Sequence, residues 1–223
     1  MIKDIQILSF ELGNSCNLSH KHPWCPSNNI ERYQDATTPP ATNEHFLSFL
    51  DSIILRGFKG LVAYHYYNEP CLVKERCEKM ADAIHARKLK TLLWTNGTLP
   101  LARGANYVFR TEYEKDGKGK IVPFRPDDRL RIYEASPVKK GMPCYRPSIL
   151  EIIVNYFGDL RLCCADWKGM THIGNIQTDP HEIIFERWES AAEAAQKGEL
   201  EVCKLCCGLK KSPVLPQSNW RVV

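Results

Sequence analysis

Cysteines in short, closely spaced groups restrict what this chain can form more than any other feature. The sequence holds ten cysteines in 223 residues, and six of them fall in the last third. In a reducing compartment, such spacing indicates metal ligands or catalytic thiols rather than disulfides. The groups are Cys16 and Cys25, Cys71 and Cys77, and then Cys144, Cys163, Cys164, Cys203, Cys206 and Cys207.

Composition and charge fit an ordinary soluble protein. Hydrophobic residues make up 43% and charged residues 25% of the chain, and the net charge is only +4. We therefore expect neither nucleic acid nor a membrane as a partner. The stretch from Met1 to Gln6 mixes apolar residues with charged and amide ones. We expect no signal peptide, no spanning helix and a cytoplasmic location.

The first half of the sequence alternates strands with amphipathic helices. We predict strands over 5–12, 60–67 and 89–94 and helices over 43–56 and 72–88. This order is typical of parallel βαβ units, which bind ligands where their strands end. A full βα barrel needs about 250 residues. Only 143 residues precede Cys144, so we predict an α/β fold with a partial, shortened barrel.

Alternation along the second strand predicts which of its side chains share a face. Tyr64 and Tyr66 are expected on one face, and His65 and Tyr67 on the other. One of these faces would look into the cluster site, but we expect most of these side chains to belong to the core.

The last third of the chain has a different pattern. Residues 149–155 and 160–164 predict a β-hairpin. A helix follows, with Asp179 as the expected N-cap and Pro180 at its first position. We therefore predict a barrel-like domain, a small β-hairpin-plus-helix domain and a tail, over 1–142, 143–209 and 210–223.

The C-terminal cysteines predict a second metal site. Cys203-x2-Cys206 is a two-thiolate clamp of the kind that binds zinc or an Fe–S cluster. Adjacent residues on a strand point to opposite faces, so we expect only one of Cys163 and Cys164 to be a ligand. An Fe–S cluster, zinc and buried thiols all stay open. The predicted ligands are Cys144, Cys163, Cys203 and Cys206, with Cys164 and Cys207 as neighbouring alternatives.

This segment resembles the SPASM/twitch auxiliary-cluster domain of radical S-adenosylmethionine (SAM) enzymes. The resemblance spans about residues 143 to 208 and includes Cys163-Cys164-Ala165-Asp166-Trp167 and Ile173-Gly174-Asn175-Ile176. No cysteine follows Cys207, so the chain is most similar to the shorter twitch version. The resemblance implies one auxiliary [4Fe–4S] cluster on the four predicted cysteines.

The stretch from Phe10 to Leu18 resembles the start of radical SAM domains. There, three cysteines in a C-x3-C-x2-C pattern hold a [4Fe–4S] cluster and leave one iron open for SAM. The resemblance implies that Cys16 and Cys25 are catalytic cluster ligands. It also implies cleavage of SAM to a 5′-deoxyadenosyl radical, chemistry that the cofactor carries and the protein orients.

Two further segments resemble the same family. Tyr67-Asn68-Glu69-Pro70 is similar to the family's Gly-Glu-Pro segment after the second strand, and Thr95-Asn96-Gly97 to its Thr-Asn-Gly after the third. Plain turns are the alternative for both segments. The resemblance implies that SAM is bound by Asn68, Glu69, Pro70, Thr95 and Asn96.

The first motif departs from the family pattern. Eight residues separate Cys16 from Cys25, and none of them is a cysteine. His20, His22 or the later Cys71 are the candidates for a third ligand, and imidazole in place of thiolate raises a cluster's potential. A different interpretation is a Cys2His2 zinc site made by Cys16, His20, His22 and Cys25.

We therefore expect a radical SAM enzyme that modifies a natural-product precursor. The resemblance implies a peptide, nucleoside, sugar or other small metabolite as substrate, one or two [4Fe–4S] clusters, and a flavodoxin- or ferredoxin-type reductant. The alternative is a non-catalytic Fe–S or zinc module derived from the same fold, because the first motif lacks a third cysteine.

Overall fold

The architecture comes from a computed structural model, which describes residues 2–21, 26–28, 36–110, 113–115, 121–123, 151–164, 166–205 and 221–222. Its described strands form a seven-stranded sheet and a separate two-stranded one. The predicted ligands His22, Cys25, Cys144 and Cys206, together with Cys207, lie outside the described residues.

The main sheet is built on parallel strands. Its order is β8-β7-β1-β2-β3-β4-β9, with five central strands parallel and both edge strands antiparallel. These strands are β1 (Ile7–Phe10), β2 (Leu61–Tyr64), β3 (Lys90–Thr95), β4 (Tyr107–Arg110), β7 (Glu151–Val154), β8 (Leu160–Arg161) and β9 (Arg221–Val222). The smaller sheet pairs β5 (Tyr113–Lys115) with β6 (Ile121–Pro123).

The described helices are α1 (Asn43–Leu55), α2 (Lys74–Ala86), α3 (His181–Gln196) and the short α4 (Glu201–Leu205). Short 3-10 helices cover Ile2–Asp4, Ser19–Lys21, Pro26–Asn28 and Pro70–Val73. Strand–helix alternation over the first half confirms the α/β class. The predicted hairpin is formed by β7 and β8, and β7 pairs directly with β1 in the main sheet.

The two faces of the sheet carry different side chains. One face contributes Leu8, Val62 and Ile152 to the large core, where they pack with Phe46 of α1 and Trp188 of α3. Because side chains alternate along a strand, the intervening residues point to the other face. A smaller cluster of Ala63, Leu92 and Phe109 lies there.

Two predicted boundaries are wrong by small amounts. The helix α3 begins at His181 with Pro180 as its N-cap, and no side chain caps it. Asp179 is not the cap, because its carboxylate turns back and accepts a hydrogen bond from the Asn175 N–H at 2.8 Å. The second strand ends at Tyr64, so Tyr66 and Tyr67 lie in a bend and do not alternate between the two faces. The centroids of their rings are 4.5 Å apart.

Arg76 of α2 ties three segments together beside the core. Its Nε donates to Asn43 Oδ1 at 2.7 Å and its Nη1 to the Leu12 carbonyl at 2.6 Å, while Nη2 bonds the Ala41 carbonyl. The planar guanidinium is therefore needed to reach all three acceptors.

We expect Arg76→Lys to lower the free energy of unfolding by about 1–3 kcal/mol, because one ammonium group cannot replace the three hydrogen bonds of the half-buried guanidinium. Urea unfolding measures the loss. Arg87→Lys is the matched control, since Arg87 pairs with the exposed Asp51 and its change should stay within about 0.5 kcal/mol. Equal unfolding of both variants would contradict the tethering role.

No helix in the described part of the chain has the length and apolar character needed to cross a membrane.

Candidate functional site

The carboxylate of Glu69 joins the ends of β2 and β3. The side chain is only 2% exposed. Its Oε1 accepts from Thr95 Oγ1 at 2.7 Å and from the Cys71 N–H at 3.0 Å, and its Oε2 accepts from the Asn96 N–H at 2.7 Å. The Glu69 N–H donates to the Ser15 carbonyl at 2.9 Å. Glu69 therefore fixes both strand ends next to the loop that carries Cys16.

Asn96 makes the second connection to that loop. Its Nδ2 donates to Asn17 Oδ1 at 2.9 Å and lies 3.8 Å from the Cys16 sulfur. Asn17 Nδ2 in turn donates to Thr98 Oγ1 at 2.8 Å. Cys16, Asn68 to Pro70, and Thr95 to Asn96, all singled out from the sequence, thus meet at the carboxyl ends of neighbouring parallel strands.

The Cys16 thiol sits in surroundings that oppose its ionisation. Burial raises the pKa of Cys16, and the negative charge of Glu69 adds to the rise. The Leu18 N–H, 3.4 Å from the sulfur, and the Asn96 amide act in the opposite direction. N–H groups aimed at the sulfur suit a metal-bound thiolate, whose deprotonation a cation promotes.

Asn68 carries polar atoms that the described structure leaves unpaired. Both its Nδ2 and its Oδ1 are buried and have no hydrogen-bond partner among the described residues. A buried amide with neither bond made costs free energy, so native proteins keep few of them. One donor and one acceptor of the residue next to Glu69 are therefore left for a ligand to pair.

The candidate third ligands lie in different settings. His20 is exposed on the 3-10 helix Ser19–Lys21. Cys71 is buried in the large core, and its sulfur lies 3.7 Å from Thr95 Oγ1. Cys71 thus packs as a small buried residue at the start of a helix. Among the described residues, no three side chains of the metal-ligating types form a metal-binding group.

Two of the four predicted auxiliary ligands are described. Cys203 lies on α4 and packs against the large core, while Cys163 follows β8. The strand argument applied to Cys163 and Cys164 is wrong, because β8 ends at Arg161 and both cysteines lie in the turn after it. Strand alternation therefore does not choose between them.

Glu11, which sequence reasoning missed, and Tyr67, whose contacts it did not indicate, organise this region. Glu11 is fully buried after β1, and its carboxylate accepts from the Tyr67 and Tyr156 N–H groups at 3.3 and 3.1 Å. The Tyr67 hydroxyl donates to the Cys164 carbonyl at 2.5 Å. The signal for Glu11 was a carboxylate between the apolar Phe10 and Leu12. The two contacts connect the end of β2 with the turn that carries Cys164.

Comparison with known proteins finds the same fold in a solved structure. No family model and no curated protein matches the chain. Two crystal structures of BtrN match, one in an open conformation (20% identity, TM-score 0.65) and one in complex with AdoMet and 2-DOIA (18%, 0.67). The matches cover 91% and 92% of this chain, and 92% and 94% of BtrN. The chain therefore shares the fold of BtrN.

Proposed function

We propose that this protein is a radical SAM enzyme acting on a small-molecule substrate. One observation carries the proposal. The Asn96 amide lies beside Cys16, and Glu69, the neighbour of the unpaired Asn68, bonds the Ser15 carbonyl, so the segments after β1, β2 and β3 meet. In α/β sheets, ligands bind at this edge. The fold shared with BtrN, which was crystallised with AdoMet, supports the same assignment.

The described residues fit SAM at this position. The methionine end of SAM carries an ammonium and a carboxylate, and the Asn68 amide offers one acceptor and one donor. The Glu69 carboxylate already accepts three bonds from its own chain, so we assign it to holding the strand ends. Pro70, Thr95 and Asn96 would shape the pocket through the turns they form.

Cys16 would hold a [4Fe–4S] cluster together with Cys25, with the third ligand from His20 or His22. When reduced, such a cluster supplies the electron that cleaves SAM to a 5′-deoxyadenosyl radical. The chain's own contribution is to hold Cys16 beside the Asn96 amide and to fix the adjacent strand ends through Glu69. A flavodoxin- or ferredoxin-type protein would be the reductant.

The proposal is tested by SAM cleavage. Anaerobically reconstituted protein with dithionite should form 5′-deoxyadenosine from SAM, with and without candidate small molecules that include 2-DOIA, the compound bound to BtrN. Reactions without dithionite and without protein are the controls. No 5′-deoxyadenosine above those controls would contradict the enzyme assignment.

Replacing Asn68 separates ligand binding from folding. We expect Asn68→Ala to weaken SAM binding about 10- to 100-fold, because a donor and an acceptor are lost. The stability of the ligand-free protein should not fall, since neither amide atom has a partner among the described residues. Equilibrium dialysis with labelled SAM and urea unfolding measure the two effects. Asn14→Ala, an exposed change in the loop before Cys16, is the control.

We also propose one auxiliary [4Fe–4S] cluster on Cys144, Cys163, Cys203 and Cys206. Cys203→Ala should then remove about four irons per chain and leave the N-terminal cluster in place. Cys77→Ala, which alters a buried thiol in α2, should lose no iron. Loss of all iron from the Cys203 variant alone would contradict two independent sites.

A non-catalytic metal module is the second candidate. The absence of a third cysteine between Cys16 and Cys25 favours it. Such a protein would bind zinc or iron without cleaving SAM, so the cleavage assay separates the two candidates directly.

A further inference from the structure

Three polar side chains meet on the second face of the sheet, away from the large core. The Ser9 hydroxyl of β1 donates to Glu151 Oε1 of β7 at 2.5 Å. His65, directly after β2, brings its Nε2 to 3.3 Å from Ser9 Oγ and 3.4 Å from Glu151 Oε1. Ser9 lies opposite Ile153 in the register, so Glu151, two residues earlier on β7, is on the same face; the contacts of His65 place its ring there too.

The contacts assign different roles to the three groups. Ser9 is fully buried and gives its proton to Glu151, so it is not placed as a nucleophile. Glu151 faces Nε2 of His65, and a carboxylate there holds the ring proton on that nitrogen. The other nitrogen, Nδ1, has no hydrogen bond to any residue in the described ranges, and the side chain is 17% exposed. Neutral His65 then presents a lone pair at Nδ1.

Aromatic and apolar groups surround this imidazole. The centroid of the Trp94 ring lies 4.7 Å from that of the His65 ring, and the centroid of the Phe109 ring lies 4.2 Å from that of Trp94. Ala63 and Leu92 complete the buried cluster on this face. The surface therefore pairs one proton acceptor with an aromatic wall, which suits a small molecule carrying an O–H or N–H group beside a carbon skeleton.

We propose that His65 is a catalytic base at the substrate site and that Ser9 and Glu151 are its positioning residues. This inference rests on the proposed function, because it places the substrate on the second face of the same strands whose ends are proposed to hold SAM. The substrate's O–H or N–H proton passes to Nδ1, which leaves a substrate anion and an imidazolium. The Glu151 carboxylate stabilises that positive charge. Loss of such a base lowers turnover by about 10²- to 10⁴-fold.

The ring geometry is tested by NMR on the anaerobic, oxidised holoprotein labelled with ¹⁵N-histidine. Neutral His65, assigned with His65→Gln, should carry its proton on Nε2. Glu151→Ala should abolish that preference and give a mixture of tautomers. His85, whose Nε2 contacts Asn106 at 2.8 Å, is the internal control and should not change. A proton on Nδ1 in the wild type, or an unchanged tautomer in Glu151→Ala, would overturn the proposal.

Access to Nδ1 is tested by diethyl pyrocarbonate, which acylates unprotonated imidazole nitrogens, followed by peptide mass spectrometry. His65 should be labelled in the folded holoprotein, with the exposed His172 as the reactive reference. The absence of label on His65 under conditions in which His172 reacts would overturn the proposal. Neither measurement requires SAM cleavage, so failure here is distinct from failure of the proposed function.

Discussion

Cys16→Ala is expected to abolish SAM cleavage, with 5′-deoxyadenosine formation falling at least ~10³-fold, to the level of reactions without protein. The reason is that Cys16, a predicted cluster ligand, lies against both strand-end segments. Its sulfur is near the Asn96 amide, and the Glu69 N–H bonds the Ser15 carbonyl beside it. Without this thiolate the proposed cluster loses a ligand that lies beside the proposed SAM-binding turns. Iron content should fall by about four per chain.

Cys77→Ala is the matched control for Cys16→Ala. Cys77 is fully buried in α2, and burial raises the pKa of its thiol to about 12, so it stays protonated. Its replacement removes a sulfur from the core and a weak hydrogen bond to the Pro70 carbonyl at 3.4 Å, but no predicted cluster ligand. We expect iron content and SAM cleavage to match the wild type. Activity retained in Cys16→Ala and lost in Cys77→Ala would refute the assignment of the first site.

Glu69→Gln is expected to lower the free energy of unfolding by about 2–3 kcal/mol. The carboxylate accepts from three donors, with Thr95 Oγ1 and the Cys71 N–H on one oxygen and the Asn96 N–H on the other. Glutamine has one acceptor oxygen, so its NH2 group must face a donor in either orientation. At least one buried N–H or O–H is left unpaired, and the end of β3 separates from the end of β2. SAM binding should weaken in parallel.

Urea unfolding and equilibrium dialysis measure these two losses. Glu75→Gln is the control, because Glu75 is exposed in the first turn of α2 and its change should stay within about 0.5 kcal/mol. An unchanged unfolding midpoint in Glu69→Gln would mean that the carboxylate does not join the two strands.

The convergence of the strand-end segments could be predicted from the sequence because it follows from topology. Parallel strands joined by helices bring their carboxyl ends to one edge, so Asn68 and Asn96 had to approach the loop after β1. The helix predicted over 43–56 is found at Asn43–Leu55, since its apolar spacing and Gly57 stop define it locally.

The contacts between side chains distant in the sequence could not be predicted from it. Nothing local indicates that Glu69 would turn inward to Thr95 and Asn96, 26 and 27 residues later. Ser9 and Glu151 are 142 residues apart, and only the pairing of β1 with β7 makes them neighbours. The bend after Tyr64 also ended an alternation that the run of aromatic residues predicted.

The most direct test of the central claim is the iron, sulfide and zinc content of the full chain purified without oxygen. Two [4Fe–4S] clusters require about eight irons and eight sulfides per chain, and we predict that result. About four irons would leave only the auxiliary cluster and contradict a cluster at Cys16. Zinc without iron would overturn the assignment of both sites.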